Sequence, residues 1–258
     1  MADDALSAPT RPALAGALTR LPAALALAGV ALQIAYPLVH GRGRDHLAVW
    51  IVLMLAATAV AHAAITRGPR VAVGLLVVTA VPGYLVEVLG VHTGFPFGSY
   101  AYSDRLGPRW LGVPPLIGLA WTMLAWPAAL AARRLVQRPL ARVLVGAWAF
   151  AAADAFLDPQ LVAAKAWHWR APSPHLPGVA TVPLTNFAGW LLVALLLSIA
   201  VQAFAGDGDD LVPVALYLWL YVGWVVALAG FLHLAAAAAW GALAMGVVAV
   251  PLGRRWRR

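Results

Sequence analysis

Three acidic residues, Glu87, Asp154 and Asp158, interrupt long apolar runs of this 258-residue chain. A charged group at the centre of a helix in hydrocarbon costs roughly 2.5–3.5 kcal/mol. Such a residue marks a working site unless it meets water or an arginine at a helix end. A carboxyl in apolar surroundings favours its neutral form and so keeps a proton to give at neutral pH. Asp154 and Asp158 are four apart, hence on one helical face, and two acids that close hold a single shared proton more easily than two charges. The chemistry these types suit is acid–base work on a substrate dissolved in a membrane. Asp158 sits beside Pro159, expected to break the helix there, so water can also explain its position.

The stretch from Glu87 to Tyr102, E-V-L-G-V-H-T-G-F-P-F-G-S-Y-A-Y, adds His92, Thr93, Tyr100 and Tyr102 within a Gly- and Pro-rich turn. Aromatic residues crowd this region and two later ones: Phe95, Phe97, Trp110, Trp121, Trp167, Trp169, Phe187 and Trp190. Trp and Tyr commonly belt the membrane interface, which accounts for many of these. Their faces also stabilise a passing cation, by about 2 kcal/mol or more when desolvated. His92, His168 and His175 lie near carboxylates but lack a tight ligand spacing, so no metal and no cofactor is expected. His40, His46, His62 and His233 are taken as interfacial or packed, and D-G-D-D at 207–210 as a solvated turn. Cysteine is absent, which excludes disulfides and thiolate chemistry.

The elements that must hold these groups follow from composition. The chain is 63% apolar and 11% charged, where a soluble domain carries about 25% charged residues. A bilayer core takes about 20 apolar residues per helix. The runs Leu21–Val39, Leu47–Thr66, Val71–Val91, Leu111–Ala132, Leu140–Asp158, Asn186–Phe204, Leu211–Gly230 and His233–Leu252 therefore predict an all-α, polytopic membrane bundle of eight spans. The last two are divided at Gly230 to His233, the one plausible place to turn in an overlong run. Residues 1–20 are expected to be a mobile lead-in, 21–252 one transmembrane domain, and 253–258 a basic anchor.

Of the 18 Lys and Arg, twelve fall on one side of these spans and six on the other. The richer side faces the cytoplasm, which predicts both termini inside and a multi-pass protein of the plasma membrane. The two long loops, 92–110 and 159–185, then share the outer face with Glu87, Asp154 and Asp158. The net charge of +8 sits at span ends as headgroup anchors, so nucleic acid is not an expected partner.

Five blocks stand out in order: E-x-x-G-x-H-T-G-F-P-F-G-x-Y-x-Y at 87–102, L-G-V-P-P at 111–115, D-x-x-x-D-P at 154–159, W-H-W at 167–169 and V-P-L-T-N-F-A-G-W at 182–190. Together they resemble the membrane carotenoid-biosynthesis family of the CruF type, which includes bisanhydrobacterioruberin hydratases and γ-carotene 1′,2′-hydratases. That resemblance implies a hydro-lyase adding water across the terminal isopropylidene double bond of an acyclic carotenoid. It also implies a membrane-dissolved carotenoid, water and the bilayer as partners, along with other carotenoid-biosynthesis enzymes. Protonating such an alkene gives a tertiary cation, so an acid, aromatic faces and a controlled water are needed. The expected roles are Asp154 or Asp158 as acid and its neighbour as counter-charge. Glu87, with His92 or Tyr100, handles the water, and Asn186 holds it. Thr93, Phe95, Phe97, Tyr102, Trp121, Trp167, Trp169 and Trp190 are expected to line the substrate. The competing readings are a carotenoid end-group cyclase or isomerase, a prenyltransferase, and a non-enzymatic transporter or lipid-binding scaffold.

Overall fold

A computed structural model describes residues 11–256, with side chains described over 19–255. Eight helices long and apolar enough to cross a membrane form the described chain. They are α1 (Arg11–Ala35, continued by a short 3-10 turn at Tyr36–Leu38), α2 (Arg42–Arg67), α3 (Pro69–Thr93), α4 (Leu116–Leu135), α5 (Pro139–Ala163), α6 (Leu184–Phe204), α7 (Leu211–Val226, extended by a π turn at Ala227–Phe231) and α8 (Ala235–Trp256). The chain is an all-α polytopic bundle, and every expected span overlaps one helix. The turn expected at Gly230–His233 falls between α7 and α8, with His233 at φ 57°. Part of the expected lead-in is helical, since α1 begins at Arg11, while residues 1–10 lie outside the described residues.

Helix α4 is the centre, buried along nearly its whole length, and α2, α3, α5 and α7 pack around it. On the periphery the apolar side chains point outward. Val73, Val77, Val81, Leu85 and Leu89 recur every four residues along α3 and are all substantially exposed. Such a row in water would be a large sticky patch, whereas in lipid it is the solvent-facing side.

Two boundaries differ from expectation for backbone reasons. Helix α4 starts at Leu116 rather than Leu111, because Pro114 and Pro115 favour extended backbone before them and Trp110 pairs with Val113 in a tight bridge. Helix α5 does not stop at Asp158 but runs through Pro159 to Ala163. The proline ring is compatible with helical φ and removes only one donor, so one further turn survives. That turn keeps Asp158 inside the bundle, 2% exposed, and not at the water boundary.

Between the helices lies a two-stranded antiparallel ribbon, β1 (Tyr100–Tyr102) against β2 (Trp167–Trp169). Tyr100 faces Trp169, Ala101 faces His168 and Tyr102 faces Trp167. Side chains alternate along a strand, so the four aromatic residues share one face and are buried, while His168 is exposed on the other. The ribbon joins the α3–α4 connection to the α5–α6 connection, and Arg170 N–H donates to Ser99 O at its edge, 2.9 Å.

The opposite end is tied by ion pairs. Arg67 and Asp210 form a buried pair, and Arg67 Nε donates to Ala205 O at 2.6 Å. Arg133 pairs with the exposed Asp207 at 2.7 Å, and its guanidinium holds the Asp207 carboxyl below the usual range. The acidic run is therefore not simply a solvated turn: basic residues from neighbouring helix ends meet it. His62 is packed here, its Nδ1 accepting from Trp126 Nε1 at 3.1 Å. Arg255 caps α4 through hydrogen bonds to Arg134 O and Leu135 O.

Candidate active site

The ribbon end of the bundle encloses a cavity of about 480 Å³ whose walls come from α1 to α7 and the ribbon. Its surface is apolar except for a few groups. Glu87, Tyr100, Tyr102, Asp158, Asn186 and Gln160 supply most of the polarity.

Glu87 sits near the end of α3, 5% exposed. Tyr100 and Tyr102 donate their hydroxyls to its Oε2 at 2.5 and 2.8 Å, and Trp121 Nε1 donates to Oε1 at 3.2 Å. Three donors on one carboxyl and no cation among them is an arrangement suited to an anion. Burial and the neighbouring Glu87 charge both push the Tyr100 and Tyr102 phenols well above their usual range, so they remain donors. The tyrosines reach Glu87 because Gly90, one turn on, has no side chain. A Cβ there would lie 2.6 Å from the Tyr100 hydroxyl oxygen.

A second cluster lies on α5 and α6. The Asn186 amide nitrogen donates to Asp154 Oδ2 at 2.8 Å and also to Asp158 Oδ2. One NH2 group thus bridges two carboxyls, as the four-residue spacing on α5 permits. Asp158 and Asn186 face the cavity; Asp154 lies behind them, fully buried, with its Oδ1 making no hydrogen bond. Two adjacent carboxylates with no cation bonded to either would repel strongly, so the pair is suited to holding a proton between them.

The aromatic residues make the wall between the clusters. Trp121 of α4 and Trp190 of α6 stack, ring centroids 4.5 Å apart and 12° from parallel. Phe150 of α5 packs its edge on both, at 5.4 and 5.8 Å. Tyr100 lies 5.6 Å from Trp169 and Tyr102 5.4 Å from Trp167. Phe97 contributes a further face, and its carbonyl accepts from Trp169 Nε1 at 2.9 Å. The loop can press this closely on α6 because Gly189 leaves room: a Cβ there would be 2.6 Å from Pro96 O.

Ten of the fourteen residues singled out in the sequence line the one cavity: Glu87, Phe97, Tyr100, Tyr102, Trp121, Asp158, Trp167, Trp169, Asn186 and Trp190. Asp154 supports them from behind. His92, Thr93 and Phe95 do not join them and are exposed. Five residues of α-helix turn the direction by about 140°, so His92 points away from the face that carries Glu87. Thr93 instead accepts from Phe95 N–H and bonds Leu89 O at the helix end. Asn186 commits its NH2 to the two aspartates, so its carbonyl oxygen is the atom left to meet a water. Phe150 and the apolar wall from α1, α2 and α7 went unnoticed in the sequence, being apolar residues of an apolar chain. Gln33, a polar residue inside an expected span, was the available signal.

A family described as carotenoid biosynthesis proteins matches residues 48–252, most of the chain. The bisanhydrobacterioruberin hydratase of Haloarcula japonica is 35% identical over 133 residues, covering 47% of this chain and 43% of that protein. The chain thus aligns with less than half the length of that relative. No solved structure matches the chain.

Proposed function

The chain belongs to the carotenoid biosynthesis protein family, and from that premise we propose that it is a carotenoid hydratase. On this reading it adds water across the terminal isopropylidene double bond of an acyclic, ψ-end carotenoid such as bisanhydrobacterioruberin. The observation that carries the reading is the presence of two unlike carboxyl clusters, one caged by three donors and one bridged by an amide, facing a single apolar cavity walled by indoles. The hydratase name of the Haloarcula japonica relative supports it.

The reaction proceeds in two proton transfers. Asp158, the cavity-facing member of its pair, gives its proton to the less substituted alkene carbon, and the π electrons form the new C–H bond. The tertiary cation left behind lies among the Trp121, Trp190, Tyr100 and Trp169 faces. Glu87 supplies the balancing negative charge, held in place before the reaction begins. A carboxylate has about four acceptor sites and Glu87 uses three, which leaves one for a water. That water forms the C–O bond, and its proton passes to Glu87. Exchange with solvent moves a proton back to the Asp154–Asp158 pair. The net change is one H2O added and a tertiary alcohol formed. Asn186 keeps the two aspartates in register, and Tyr100 and Tyr102 orient the base. On this reading the protein sits in the plasma membrane as a single multi-pass domain, with both termini cytoplasmic and the ribbon outside.

The test is incubation of purified protein with an acyclic carotenoid and measurement of product mass. A gain of one water per reacted end is the expected result. Unchanged mass with a new ring would make the protein an end-group cyclase, and no product at all would remove the enzymatic reading.

A further inference from the structure

The cavity is small for its proposed substrate. A space of 480 Å³ is the size that encloses a drug-sized ligand, and as a sphere it is about 10 Å across. A long conjugated carotenoid rivals the roughly 30 Å thickness of the bilayer core. Only one end of such a chain can be inside at a time.

The walls show where the remainder leaves. Among the described wall residues, those exposed at the protein surface are Ile34, Leu38, Val222, Val226 and Phe231, each at least half exposed. All are apolar, and all belong to the end of α1 with its 3-10 turn or to α7 with its π turn. The walls opposite are closed: Trp121, Asn186 and Asp158 are 1 to 2% exposed. The two elements bordering the opening are joined by a polar contact, Trp219 Nε1 donating to Gln33 Oε1 at 2.9 Å. Beyond it the winding of α7 loosens into the π turn, closed by Leu232 N–H to Ala227 O at 2.9 Å. Gly223 lies in the same wall, without a side chain to obstruct the opening.

We propose that the gap between Gln33–Leu38 of α1 and Trp219–Phe231 of α7 is a lateral mouth through which one end of a long apolar polyene enters, while its tail stays in the bilayer. The inference deepens the hydratase reading and rests on it for the identity of the polyene. Its consequence is end-on binding: the reacting double bond travels deepest, to Asp158 and Glu87, and a substrate with two reactive ends must leave and return for the second.

Photo-crosslinking tests the mouth without relying on turnover. A benzophenone side chain is placed at Val222 or Val226, and at the still more exposed Leu243 on α8 as a control, in protein reconstituted with an acyclic carotenoid. At least tenfold more carotenoid adduct at Val222 or Val226 than at Leu243 is expected. Equal labelling at all three overturns the mouth, as does a protein–protein adduct at Val222 with no carotenoid attached. Wild-type protein that binds but adds no water removes the hydratase reading and leaves the mouth standing as a carotenoid site. In a second arm, the chain's lack of cysteine confines thiol chemistry to Ile34→Cys/Val222→Cys. Bridging the pair with a cleavable bifunctional reagent should lower turnover at least tenfold and cleavage should restore it. Full turnover in the bridged form overturns the proposal.

Discussion

Tyr100 reaches across the bare flank of Gly90 to place its hydroxyl 2.5 Å from Glu87 Oε2. The contact ties the loop to α3 at the point where the cavity meets its base. It also explains the spacing of E-x-x-G followed by Y-x-Y: the carboxylate, the gap beside it and the two donors are one device.

Removing one donor tests that device. A hydrogen bond to a charged group is worth about 1.5–3 kcal/mol. Tyr100→Phe should therefore lower kcat/KM for hydration roughly 10- to 150-fold, with the protein still folded in detergent. Gly90→Ala should do at least as much, since the added methyl would lie 2.6 Å from the Tyr100 hydroxyl oxygen and push it away. Wild-type rates in both variants would dissociate Glu87 from the reaction.

The aspartates should be unequal. Asp158→Asn removes the acid on the cavity wall and should cost about 10²–10⁴ in rate. Asp154→Asn sets an amide against the Asn186 NH2 behind the wall, and should cost less in rate while lowering the unfolding temperature. Steady-state hydration assays and thermal melts of both variants measure the contrast; the reverse order would exchange their roles.

Aromatic faces are expected to matter by π character and not by bulk alone. A desolvated cation–π contact of about 2 kcal/mol corresponds to roughly 30-fold in rate. Trp190→Phe should retain most activity, and Trp190→Leu should lose about that factor. Equal losses in the two would indicate packing only.

Across alkaline pH the two phenols should stay silent. Their folded values lie well above the ordinary phenol value near 10, because burial and Glu87 disfavour the phenolate. A loss of hydration between about pH 9 and 10 that disappears in Tyr102→Phe would show a phenol ionising within the ordinary range instead.

The far end separates stability from chemistry. Arg67 and Asp210 are almost fully enclosed, and deleting one partner of a buried pair costs about 3–5 kcal/mol. Arg67→Ala should lower the melting temperature clearly and leave the rate of the remaining folded protein near wild type. Asp207→Asn, at a fully exposed partner of Arg133, should change little.

The helices were legible in the sequence because lipid imposes one simple demand, a long apolar run, and each run met it. The Gly230–His233 turn was found by length alone. The carboxylates were legible for the same reason inverted, as polar residues where none is cheap. What escaped were relations between distant segments. Nothing in Y-A-Y or W-H-W states that they pair, since each is three residues of loop until the other lies beside it. His92 looked equivalent to Tyr100 in a linear motif, but the helix turns it away while the loop brings Tyr100 back. Pro159 reads as a stop, yet its ring suits helical φ and removes only one donor, so the helix runs one turn further.

The ribbon has a parity. Strand side chains alternate with a period of two, and its buried face is set by Tyr100, Tyr102, Trp167 and Trp169. Inserting or deleting one residue near Ser99 would turn Ala101 inward and the Tyr100 and Tyr102 rings out, and the same change near Ala166 would do so for His168 against Trp167 and Trp169. A two-residue insertion would keep the faces and only shift the pairing. The spacing between Glu87 and Tyr100 is therefore counted, not merely measured, and a single-codon length change there should silence the protein while leaving its eight helices in the membrane.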